Sequence, residues 1–156
     1  LFRNFVFGVE DSLVSTVGLL SGVVAAGETE KTIITAGLVL IFVEAFSMGV
    51  GSLLSDNSMR EFDRRVKVPL SRSFLGGITM FVSYFISGFI PLFPYLVFDK
   101  AKAFPISVVA SLFALFFLGM LSARLANISV LKKGMQIFFL GGMAILLGVL
   151  VGNFLS

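Results

Sequence analysis

The 156 residues are 57% hydrophobic and only 13% charged, where a soluble domain carries roughly 25% charged residues, so a water-soluble fold is excluded. Neither Cys nor His is present, which rules out disulfides, thiolate metal sites, Ser-His-Asp hydrolysis and imidazole proton relays. The net charge of +3 is distributed as membrane topology demands, so the lipid bilayer is the expected partner and nucleic acid is not.

Five stretches of about 20 mostly apolar residues predict an all-α, polytopic membrane protein. The spans fall near 4–26, 32–55, 71–98, 104–126 and 132–155, in a single domain covering 1–156. No cleavable signal is expected, because the first stretch contains Glu10 and Asp11 and lacks a basic region leading to a cleavage site.

The first span reads FVFGVEDSLVST, with its two acids about seven residues, or roughly 10 Å, inside one membrane face. An ionised carboxylate at that depth is costly, so it faces a polar cavity, a partner or a transported ion. Glu10 has the further alternative of snorkelling to the interface or touching a neighbouring helix.

The second span, VLIFVEAFSMGVGSLLS, places Glu44 near mid-membrane, with Met48 and Ser52 following at four-residue steps on the same face. Counting inward from Ser55 puts Met48 level with Asp11, so the stripe is expected to oppose Asp11. Carboxylate oxygen beside a thioether favours divalent iron, and less strongly manganese, over magnesium or calcium. Met48 alone also suits simple packing. Glu44 has no basic residue predicted at its depth. A carboxylate that can hold either a proton or a metal ion offers a physical route to antiport.

The polar run 56–70 is expected to be a short cytosolic linker, folded as a short surface helix that its basic residues hold near anionic lipid. Metal contact by its Met59, Glu61 or Asp63 is the lesser reading. In the third span, Pro91 and Pro94 within GFIPLFPY either kink the helix to open a cavity or terminate it. Asp99, Lys100 and Lys102 form a solvated loop before the fourth span. Gly18 with Gly22, Ser47 with Gly51, and Gly148 with Gly152 are small-residue pairs that allow close helix approach.

Basic residues set the orientation. Arg3, Arg60, Arg64, Arg65, Lys67, Arg72, Arg124, Lys132 and Lys133 fall on one side, against Lys31, Lys100 and Lys102 on the other. The N-terminus is therefore predicted cytosolic and the C-terminus non-cytosolic.

The segments VFGVEDSLVSTVGLLSGV and AGLVLIFVEAFSMGVGSLLS resemble the first two helices of the vacuolar iron transporter family. Gly8, Asp11 and Gly22 match the first helix. Ser47, Met48, Gly51 and Ser55 match a Ser-Met-x-x-Gly-x-x-x-Ser pattern, and Gly88 to Tyr95 resembles a Gly-x-x-x-Pro-x-x-Pro-Tyr stretch. The resemblance implies a homodimer that moves ferrous iron or manganese out of the cytosol in exchange for protons, through a pathway at the dimer interface. Asp11 and Met48 are the positions it carries over most directly.

Three departures fall at functional positions. Ser12 replaces a Gly, Ser52 replaces a glutamate, and Glu44 stands where the family has a small residue, as if the acid had been relocated toward mid-membrane. The short 56–70 linker also lacks the glutamate-rich cytosolic insertion of many iron-transporting members.

These readings converge on a divalent-metal:proton antiporter with Asp11, Glu44, Met48, Glu10 and Ser52 as metal-contacting residues. Fe2+ or Mn2+ is its transported substrate, and no tightly bound cofactor is expected. The alternative is a non-transporting membrane scaffold on the same fold, and an enzyme is not expected. The small size points to a prokaryotic cell membrane, or to a vacuolar membrane if the host is eukaryotic. The cysteine-free chain makes the topology directly testable: a single Cys at Asn127 is expected to react with an impermeant maleimide only from the cytosolic side, and one at Glu28 only from the opposite side.

Overall fold

The computed structural model describes the backbone of residues 1–62 and 69–156, with the side chains of all of these except 60–62. Every described element is a helix: α1 (Phe2–Ala25), α2 (Glu30–Phe62), α3 (Leu70–Val97), α4 (Lys100–Ala126) and α5 (Val130–Leu155). All five are long and apolar enough to cross a bilayer, and the protein is an integral membrane protein.

The helix boundaries follow local chemistry. α1 stops where Gly27 adopts φ 82°, and the Glu28 and Gly27 amides turn back to the Val23 and Val24 carbonyls in a Schellman arrangement. α4 stops in the same way at Asn127, φ 54°, with the Ile128 amide donating to the Ala123 carbonyl. Glu30 then ties two turns together, because its carboxylate accepts the Lys100 amide at 3.1 Å and so satisfies a free donor at the start of α4.

One segment differs from the sequence-based expectation. α2 does not stop near Ser55 but stays helical through Phe62, since Asp-Asn-Ser-Met-Arg-Glu-Phe contains neither Gly nor Pro and can remain helical beyond the apolar span. α3 runs through Pro91 and Pro94 and ends at Val97, within a residue of the expected end of the third span. The prolines are buried, and the Ser107 hydroxyl donates to the Pro91 carbonyl at 2.6 Å.

α1 is the centre of the bundle and packs against each of the other four helices. Its hydropathic window is 50% buried, against 22% for α2 and 17% for α5, so α2 and α5 turn most of their surface outward. One apolar core joins Leu20, Ile33, Ile41, Leu92 and Ala103 toward the Gly27 end. A smaller one joins Leu13, Leu115 and Ile137 across α1, α4 and α5.

Two seams of small residues bring backbones together, as lipid-embedded helices require when no hydrophobic drive separates them from the tails. Along α1–α5, a Cβ added at Gly22 would lie 2.8 Å from the Gly148 carbonyl oxygen, and one at Gly152 would collide with the Gly22 carbonyl. Along α2–α3, a Cβ added at Gly77 would lie 2.8 Å from the Gly49 carbonyl oxygen. The Gly18–Gly22 and Gly148–Gly152 pairs thus meet each other. Ser47 and Gly51 join neither seam and are exposed. Gly152→Leu is expected to force the α1–α5 seam apart and destabilise the protein by about 1–3 kcal/mol, measured as a lowered unfolding midpoint in detergent, while Gly51→Leu leaves the midpoint unchanged in the monomer.

Candidate functional site

The register between α1 and α2 is set by one hydrogen bond near the Arg3 end, where Asn4 Nδ2 donates to Ser52 Oγ at 3.0 Å. The same nitrogen donates to the Gly76 carbonyl of α3 at 3.2 Å. From that level Asp11 is seven residues up α1, about 10 Å, and Glu44 is eight residues up α2, about 12 Å. Asp11 is therefore level with Glu44, not with Met48. Counting from Ser55 misplaced the level by three residues, because Asn4 stands opposite Ser52 rather than Ser55.

Asp11 and Glu44 are both half-buried and lie within Coulombic reach of each other. Tyr84 of α3, fully buried, stands next to this level, one turn along α1 from Asp11. Its hydroxyl is paired with Ser15 Oγ at 2.7 Å. Tyr84 was not among the sequence-based candidates. Its only sequence signal is a rare polar aromatic in the middle of an otherwise apolar span.

Ser12 accounts for itself structurally. It is fully buried and donates to the Tyr84 carbonyl at 2.7 Å. Gly88 makes the room, since a Cβ there would sit 3.0 Å from Ser12 Oγ. The hydroxyl that follows Asp11 thus locks α1 to α3 at the depth of the acids.

Met48 and Ser52 lie lower, in a separate cleft of about 500 Å³ between the Arg3 ends of α1, α2 and α3. Asn4, Phe7, Met80, Ser55 and Asp56 line it with them, and Arg3 stands at its exposed rim. Neither Asp11 nor Glu44 is among the lining residues. The stripe Glu44, Met48, Ser52 therefore serves two levels: acids above, and a mixed thioether and hydroxyl cleft below.

Glu10 turns elsewhere. Its opposite-charge neighbour is Lys133, in the first turn of α5, which places this acid on the α5 side of α1. Met59 is exposed near the end of α2, while Glu61 and Asp63 lie outside the described side chains. Among the described residues no group of three or more acids is close enough to hold a metal ion by itself. Any ion held here within one chain must use thioether, hydroxyl or amide donors as well as carboxylates.

A family model described as the VIT family matches residues 2–68 and 69–153. The chain is 24% identical over 204 aligned positions to "Vacuolar iron transporter 1" of Arabidopsis thaliana, covering 92% of this chain and 82% of that protein. It is 22% identical to "Vacuolar iron transporter 1" of Eucalyptus grandis with the same coverage. Both alignments are longer than the chain, so the relatives carry residues it lacks, and the family match breaks at 68/69, between α2 and α3.

Tyr84→Phe removes one hydrogen bond but leaves Ser15 Oγ within reach of the Ser12 carbonyl at 3.4 Å. The expected cost is about 1 kcal/mol of stability, measured by denaturant unfolding in mixed micelles.

Proposed function

The chain belongs to the VIT family, and from that premise we propose that it carries divalent transition metal, ferrous iron or manganese, out of the cytosol in exchange for protons, working as a homodimer. The observation that carries this reading is that Asp11 and Glu44, both half-buried, stand at one depth on α1 and α2 in the register set by Asn4 and Ser52. Two half-buried carboxylates in mutual repulsion are stabilised when a cation or a proton is shared between them. The same site can then alternate between metal and protons.

The dimer reading is supported by α2. Ser47, Gly51 and Ser55 form an exposed stripe of small residues, and a Cβ added at Gly51 would meet nothing within 4 Å. A second copy laid along this stripe would close the Met48 cleft on its open side and double a ligand set that is sparse in one chain. Glu10, paired in charge with Lys133, is assigned a supporting role in tethering α1 to α5 rather than a ligand role.

A scaffold on the same fold is the competing reading, and it is favoured by the lack of a three-acid cluster among the described residues. Both relatives are plant proteins with vacuolar names, and they lend no support to the prokaryotic location expected from chain size.

The deciding experiment is metal uptake into liposomes holding a metal-sensitive dye, with the lumen acidified. Wild-type protein is expected to drive Fe2+ or Mn2+ uptake faster with the acid lumen than without it. Asp11→Ala and Glu44→Ala are each expected to cut the flux by about tenfold or more. Undiminished flux in both variants would remove these acids from the site, and no flux of any divalent metal in the wild type would favour the scaffold.

A further inference from the structure

The helical continuation of α2 past Ser55 adds one more residue to the stripe. Asp56 follows Glu44, Met48 and Ser52 at the same four-residue step, so it shares their face. It lines the lower cleft, it is half-buried, and among the described residues it forms no ion pair.

Three polar groups converge there on the bare backbone of Gly76. A Cβ placed on Gly76 would lie 2.9 Å from Asn4 Nδ2 and 3.8 Å from both Asp56 Oδ2 and Ser52 Oγ. An amide, a hydroxyl and a carboxylate from α1 and α2 thus come within 4 Å of one point, over a floor that carries no side chain. Asn4 commits its N–H donors to Ser52 Oγ and the Gly76 carbonyl, which leaves its Oδ1 as an acceptor. One turn further in, the thioethers of Met48 and Met80 line the same cleft.

We propose that this cleft is a loading site for a borderline-soft divalent cation, with Asp56 as its charged ligand and Asn4, Ser52, Met48 and Met80 as neutral donors. The proposal rests on the metal-transport reading and adds to it a second, outer site. A single carboxylate among neutral donors binds weakly, which suits capture followed by release. Thioethers favour iron, cobalt or cadmium, whereas magnesium and calcium demand oxygen ligands and gain nothing from sulfur. Along α2 the donors then recur about every 6 Å, from Asp56 through Ser52 and Met48 to Glu44, so an ion need not cross a bare stretch of helix.

The test pairs flux with binding. In liposomes, Asp56→Asn is expected to raise the half-saturating Mn2+ or Co2+ concentration about tenfold while keeping the maximal rate within about twofold, whereas Asp11→Ala loses the maximal rate. In detergent, calorimetric titration with Cd2+ is expected to resolve two classes of site in the wild type and one in Asp56→Asn. Met80→Leu, a volume-conserving change, is expected to weaken Cd2+ binding more than Mn2+ binding. An Asp56→Asn protein with unaltered half-saturation and unaltered Cd2+ stoichiometry overturns the loading site even though transport stands. A wild type that moves no metal yet binds Cd2+ in an Asp56-dependent way overturns the transport reading and leaves the site.

Discussion

A helix that carries two adjacent acids and four hydroxyl side chains cannot lie against hydrocarbon, and the rest of the bundle is arranged around that constraint. α1 bears Asn4, Glu10, Asp11, Ser12, Ser15, Thr16 and Ser21 within 24 residues, and it alone packs against every other helix. α3, the other deeply buried helix, supplies the polar complement through Tyr84, Ser83 and Ser87. In return, α2, α4 and α5 present Phe42, Phe113, Phe117 and Phe154 outward, where lipid accepts them.

Enclosing a polar helix this tightly depends on residues that have almost no side chain. The α1–α5 seam closes because Gly22, Gly148 and Gly152 let carbonyl oxygens approach where any Cβ would intrude. The same economy recurs at the functional level. Gly88 admits the Ser12 hydroxyl, and Gly76 leaves open the floor on which Asn4, Ser52 and Asp56 meet. Several of the buried serines also bond back to carbonyls one turn earlier in their own helix, as Ser87 does to Ser83 at 2.6 Å and Ser111 to Ser107 at 2.7 Å. Those hydroxyls are thereby satisfied without a partner helix, while Asn4, Ser12, Ser15 and Ser107 reach across to neighbouring helices.

In the proposed transport reading, the consequence is a pathway with two levels. The outer level is an open cleft of mixed donors with Asp56 and, at its rim, Arg3; the inner level holds the two carboxylates Asp11 and Glu44. On that reading a cation moving inward exchanges neutral donors for two carboxylates, which are stabilised when an ion or a proton is held between them. Exposed Ser47, Gly51 and Ser55 on α2 leave one flank of both levels uncovered within a single chain.

The sequence by itself determined the class, the number of spans and the acids worth watching, because hydropathy and the cost of buried charge act residue by residue over a single helix. Asp11 and Glu44 stood out for that reason, and the Gly18–Gly22 and Gly148–Gly152 pairs were visible as small-residue spacings. Depth across two helices was not visible. It depends on the Asn4–Ser52 hydrogen bond between residues 48 positions apart. Only the tertiary structure therefore decided that Asp11 is level with Glu44, that Lys133 is the basic neighbour of Glu10, that Tyr84 pairs with Ser15, and that Asp56 lines the lower cleft. Each of those facts is a property of register between helices, and register is set by packing contacts that no single span encodes.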